Sequence, residues 1–213
     1  MIRRAAAAAL GLAGLLAAAA GCGDSPPAAV PAAPAPAHVD PEHGLTQQQA
    51  QRALLAAGDL PLGFQPSEGS GEATALGCAG IDGAYLAQGV AARASASFGH
   101  AISPAFVNET ITTRPGEADA ALAGFARAPR ECGSFTSGGV AYAVSTLSLP
   151  RYGDGSAAVR VISGLKESRP VDLVAVRLGD TIVAVAAAGA GREDAELTRT
   201  VVERALAKIS RLR

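Results

Sequence analysis

The chain has almost no net charge. Lys+Arg number 18 against Asp+Glu 19, for a formal charge of −1 over 213 residues. This balance excludes a basic nucleic-acid binder, which needs a positive surface to release counterions. It equally excludes an acidic solvating tail or a charged disordered chain. Lysine is scarce, two residues against 16 Arg, a bias that fits a GC-rich genome better than a function. Tryptophan is absent and aromatics make up 4% of the chain. Alanine fills much of the gap: 50 residues, nearly half of the 49% apolar fraction. The first 44 residues differ in composition from the rest, so one domain of about 170 residues is the natural reading.

A long apolar run is also lacking. Arg3 and Arg4 precede sixteen uncharged residues, Ala5 to Ala20, mostly Ala and Leu. That run is too short and too small-sided for a spanning helix, which takes about 20 strongly apolar residues. Ala19-Ala20-Gly21-Cys22 resembles a bacterial lipobox, in which small residues precede a Cys that is acylated and becomes the new N-terminus. Residues 1–21 are therefore expected to be a lipoprotein signal peptide and Cys22 the lipidation site, with the protein exported to the outer face of the cell membrane. Cleavage removes Arg3 and Arg4 and makes the mature chain more negative. Residues 22–44 then form a Pro/Ala-rich tether, holding six of the chain's 13 Pro between Pro26 and Pro41. At the rise of a Pro-rich extended chain this tether spans up to roughly 50 Å. His38 and His43, near its end, are read as solvated linker residues rather than metal ligands.

Cysteine is sparse, and its count is informative. With Cys22 acylated, Cys78 and Cys132 remain, an even pair in an exported domain, where a disulfide is favoured. It would close a loop of about 55 residues and contribute roughly 4 kcal/mol by the chain-entropy argument. The rival is a catalytic Cys, which would need His100, the one His beyond the tether.

From residue 45 onward the pattern predicts an α+β domain. Thr46 and Gln49 make a capping box for a first helix carrying Ala50, Ala53, Leu54 and Ala57, stopped at Gly58. Residues 62–75 read as loop, and a short helix follows around Ile81 to Val90. Alternation predicts strands at Ser95–His100 and Ala105–Thr113. Pro115 suits the first turn of a helix with Ala118, Ala121, Leu122 and Phe125 on one face, ending at Pro129. Strands follow at Val140–Leu149, Ala157–Leu165, Val171–Leu178 and Thr181–Ala188, the last pair joined by Gly179-Asp180 as a hairpin turn. The last strand has no polar alternation, so it belongs in the centre under a helix. A final helix supplies that cover, with Leu197, Val201, Ala205, Ile209 and Leu212 as its stripe, acidic residues at its start and basic ones at its end. The sum is an antiparallel sheet of about six strands with helices packed against it and one disulfide.

Four of these features together carry a family resemblance: the helix ending in Gly58-Asp59-Leu60-Pro61, the Cys78/Cys132 pair bracketing a hairpin and a helix, the Tyr152-Gly153-Asp154 loop, and the Arg177-Leu178-Gly179-Asp180 hairpin. Over residues 45–213 the chain resembles the PknH-like extracellular sensor domain. In actinobacteria this domain occurs outside a serine/threonine kinase and on stand-alone lipoproteins. The resemblance implies an α+β domain with a cleft for a ligand. The family typically carries two disulfides, where this chain can form one. With no kinase domain in the chain, signalling would pass through a partner.

Motifs of chemistry are few. Ser163-Gly164-Leu165-Lys166 fits S-x-x-K, the nucleophile motif of penicillin-binding enzymes, but it follows a strand pattern, contains Gly and lacks the companion S-D-N and K-T-G elements. There is no G-x-S-x-G, P-loop or G-x-G-x-x-G. Asp82-Gly83 and Asp154-Gly155 lack the further acids of a calcium loop. The sequon Asn108-Glu109-Thr110 is idle in a bacterial lipoprotein. No cofactor, metal or catalytic residue is expected. The leading expectation is a non-enzymatic ligand-binding or sensor lipoprotein. Its partners would be the membrane through the anchor and a small molecule, lipid or envelope protein, with no nucleic acid. A cell-envelope hydrolase using Ser or His100 is one alternative. A lipid carrier is another, though so few aromatics would line its cavity thinly.

Overall fold

Thr181–Ala188 is buried on both sides along its whole length, as its unbroken apolar run requires. Its side chains divide by parity. Val183, Val185 and Ala187 belong to one hydrophobic layer, and Ile182, Ala184 and Ala186 to the other. Each Val or Ile buried in this way contributes about 1.5–3 kcal/mol. The structure, a computed structural model, describes residues 44–67, 76–85, 90–166, 169–189 and 195–212, all within the unit Pro36–Arg213. The signal peptide, Cys22, the tether through His43, and Glu193 and Asp194 lie outside the described residues.

The elements are α1 (Gln47–Ala53), β1 (Phe64–Pro66), α2 (Ala79–Tyr85), β2 (Ala92–His100), β3 (Phe106–Thr113), α3 (Ala118–Glu131), β4 (Ser134–Ser137), β5 (Val140–Thr146), β6 (Gly155–Ser163), β7 (Val171–Leu178), β8 (Thr181–Ala188) and α4 (Ala195–Ser210). The strands form one sheet in the order β1-β2-β3-β8-β7-β6-β5-β4, every neighbouring pair antiparallel. Helices cover both faces. One layer packs α1 and α4 against Val107, Ile111, Val174, Val183 and Val185. The other packs α2 and α3, through Ile81, Ala84, Phe125 and Ala128, against Val159, Leu173 and Ile182. The α+β class holds.

Among the described residues the strand count is eight rather than about six. Two short edge strands account for the difference. β1 holds three residues and ends in Pro66, inside a stretch expected to be loop. β4, Ser-Phe-Thr-Ser, is too polar to show a hydrophobic pattern. Its signal lies in the turn, because Gly138-Gly139 joins it to β5 with both residues at positive φ. Strand ends also move. β2 starts at Ala92 rather than Ser95, and β5 stops at Thr146.

Two helix ends and one start differ from expectation: Pro115 lies in a turn closed by the Glu117 N–H on the Arg114 carbonyl at 3.0 Å, and α3 starts only at Ala118. α1 opens on the predicted capping box: the Gln49 N–H donates to the Thr46 hydroxyl at 3.3 Å, and the Thr46 N–H donates to Gln49 Oε1 at 2.8 Å. It ends at Ala53, with a 3-10 turn at Ala57–Asp59 where the stripe predicted further helix. The cause is tertiary. The Leu55 N–H, which a continuing helix would give to a carbonyl one turn back, donates instead to Glu109 Oε2 at 2.6 Å. α3 runs past Pro129 to Glu131, and the Cys132 N–H closes it on the Ala128 carbonyl at 2.8 Å.

Cys78 and Cys132 are bonded, with Cα atoms 5.8 Å apart, tying the start of α2 to the end of α3. The same two helices touch where Gly80 lies against the Gly124 carbonyl; a Cβ on residue 80 would sit 2.5 Å from that oxygen.

Candidate ligand groove

At the end of the sheet where β2 turns into β3, the loops leave a groove. His100 ends β2, and its N–H donates to the Ala105 carbonyl at 2.9 Å, closing the hairpin. β1 pairs Phe64 with His100, and their rings meet edge to face at 5.3 Å. Gly63 makes this fit possible. Its φ is +98°, and a Cβ there would lie 2.4 Å from His100 Nε2, so the imidazole rests on bare backbone. Pro61, Leu62 and Phe64 form one wall, Ile102, Ser103 and Ala105 a second, and Glu196, Leu197 and Thr200 of α4 a third. The groove is open to solvent on one side and has a volume of about 520 Å³. Its rim carries the two most exposed large apolar side chains of the described residues, Leu62 at 98% and Ile102 at 93%.

A smaller hollow of about 310 Å³ lies between α3 and the connection from β5 to β6. The chain itself crosses it, with Leu147 to Tyr152 as much of its lining. Burial and the nearby Glu203 carboxylate push the Tyr152 phenol up. This hollow lacks an exposed apolar rim, and the His100 groove is the better candidate.

His100 is placed as a structural residue. Its Nδ1 accepts the Ile102 N–H at 3.4 Å while the ring packs on Phe64 and Gly63. Neighbouring Ser103 is occupied locally, its Oγ accepting the Ala105 N–H at 3.4 Å. Ser163 is the last residue of β6 and Lys166 lies beyond the strand, so the S-x-x-K tetrad has no helix to bring the two side chains together. Among the described residues no cluster of three or more His, Cys, Asp or Glu is placed to hold a metal ion. Cys78 and Cys132 are joined to each other rather than presented as nucleophiles.

Two polar sites were not singled out from the sequence. Glu109 is fully buried in the layer beneath α1 and α4. Its Oε2 holds the Leu55 N–H, and its Oε1 has no hydrogen-bond partner. Burial pushes this carboxyl up to about 7, against the opposing pull of the Leu55 hydrogen bond and Lys208. The pattern Val107-Glu109-Ile111 contained the signal, an acid on the inward face of an alternating strand. The second site is Asp172, which accepts from Arg160 at 2.6 and 3.0 Å and from Thr198 at 2.9 Å, pinning α4 to the sheet.

No protein-family model matches the sequence, and no curated protein does. A solved structure does match the fold: the extracellular domain of PknH from Mycobacterium tuberculosis, with a TM-score of 0.59 at 14% identity, over 80% of this chain and 98% of that one. The chain therefore shares the fold of that extracellular domain, in agreement with the fold that the sequence resemblance implies. At this identity the likeness concerns the fold. Among the described residues no helix is long and apolar enough to cross a membrane.

Proposed function

We propose that this protein is a lipid-anchored, exported binding domain, non-enzymatic, that takes a small molecule with an apolar body in the His100 groove. The observation that carries the reading is the groove itself: a 520 Å³ hollow walled by sheet and helix and rimmed by two exposed apolar side chains. Its volume falls in the range of small-molecule sites, about 300–1,000 Å³. The fold supports it, since the matching domain is extracellular in the protein that bears it. A groove is favoured over a carrier's cavity because both sheet faces are filled by packed side chains.

The placement of the groove suits a tethered sensor. Near the start of the described residues, the Leu45 N–H donates to Thr181 Oγ1 and its carbonyl accepts from Thr113 Oγ1. Thr113 and Thr181 pair at one end of the sheet, and Phe106 and Ala188 pair at the other, beside the groove. The two ends are about 24 Å apart at the rise of a strand. Within the described residues the chain therefore enters the fold at the end away from the groove.

The test is lipid and metabolite extraction from the full-length protein purified from its own membrane, followed by mass spectrometry. The reading expects an apolar compound that is lost in a Leu62→Ser/Ile102→Ser variant. Hydrolysis of ester or peptidoglycan substrates that disappears in His100→Ala would replace this reading with the enzymatic one.

A further inference from the structure

Glu109 is buried in an apolar layer, and nothing in the ligand reading uses it. Its cross-strand neighbours on β2 and β8 are Ala96 and Val185, both uncharged. From α1 the layer receives Ala50 and Ala53. The charged groups that bear on it are Asp59, on the connection between α1 and β1, and Lys208, on α4, and these two are paired with each other at 2.9 Å. Neither reaches the carboxylate, so Oε1 stays without a partner while Oε2 holds the Leu55 N–H at 2.6 Å.

From this geometry we infer that Glu109 is a proton-operated latch on the connection between α1 and β1. Protonated, the carboxyl is neutral and the connection lies closed over it. Ionised, it carries a charge whose second oxygen has no donor in the closed state, and the route to solvation is local opening of residues 54–60. Water then reaches both oxygens and the Leu55 N–H is freed. The closed state favours the protonated form, with the group raised to about 7 against 4.5 when exposed. By linkage the closed fraction is highest below pH 4.5 and declines as pH rises through 7. The connection ends in Leu60, Pro61 and Leu62, so opening it also moves one wall of the groove.

The latch is tested without any ligand. Carboxyl-detected NMR on the full chain follows the Glu109 titration, and hydrogen exchange follows the amides of residues 54–60, with Glu109→Gln as the comparison. The expected result is a glutamate titrating near pH 7. Protection at Leu55, corrected for intrinsic rate, should fall on the order of 100-fold from pH 5 to pH 8. Glu109→Gln should show no such fall. A titration in the ordinary carboxylate range, or an equal pH response in Glu109→Gln, would overturn the latch. The wild-type titration decides the matter even if the variant does not fold.

Discussion

Glu109 takes the Leu55 N–H just past the point where α1 stops, and it leaves an ionisable oxygen without a partner in the core. An acid whose folded value is raised stabilises the fold fully below its unfolded value and progressively less as pH climbs through the folded one. For Glu109 the window runs from 4.5 to about 7. The shift corresponds to about 3 kcal/mol if opening fully exposes the group. Urea unfolding at pH 5 and pH 8 should therefore show wild type losing up to that amount relative to Glu109→Gln, which keeps an acceptor for Leu55 and carries no charge. The sequence contained the residue but not its consequence. Alternation placed Glu109 on the same face as Val107 and Ile111, yet which helix covers that face, and which N–H it supplies, is a tertiary fact.

At the scale of elements, the central strands and the cap of α1 were legible, and the sheet edges and the start of α3 were not. β7 and β8 stand where the apolar runs and the Gly179-Asp180 turn put them, because burial on both faces leaves a continuous pattern. The capping box at Thr46 is equally local, as both partners lie within one turn. β1 and β4 bury little, so they leave no hydrophobic signature, and only the Gly138-Gly139 turn announces β4. The groove inherits this blind spot, since Leu62 and Phe64 sit at the β1 edge. The α2–α3 pair is a contact that composition could not reveal. There the disulfide fixes one end, and Gly80 against the Gly124 carbonyl sets the approach of the two helices. Gly80→Ala should cost about 1–3 kcal/mol, the usual range for overpacking against backbone. Thermal unfolding under non-reducing conditions checks this, and an unchanged melting temperature would mean that the helices can part without loss.

Over the whole molecule, the chain's entry into the fold at Leu45 and the groove lie at opposite ends of the sheet. The Ala-rich composition serves both halves of the chain differently. Sixteen of the 50 Ala lie in the first 40 residues, while Ala50, Ala53, Ala184, Ala187 and Ala205 are buried between helices and sheet, where small side chains permit close packing. Anchoring has its own check. Cys22→Ser should move the protein from the membrane fraction to the soluble fraction, and unchanged membrane retention would contradict lipidation. The groove is tested most directly by fluorescence titration of full-length protein with 1-anilinonaphthalene-8-sulfonate, alongside the Leu62→Ser/Ile102→Ser variant. Saturable binding at one site is expected in wild type, weakened on the order of tenfold in the variant, since two rim side chains together supply roughly 1–2 kcal/mol of apolar contact. Melting temperatures should agree within a few degrees. Equal affinity in the two proteins, or no saturable binding in either, would contradict a ligand site in the groove.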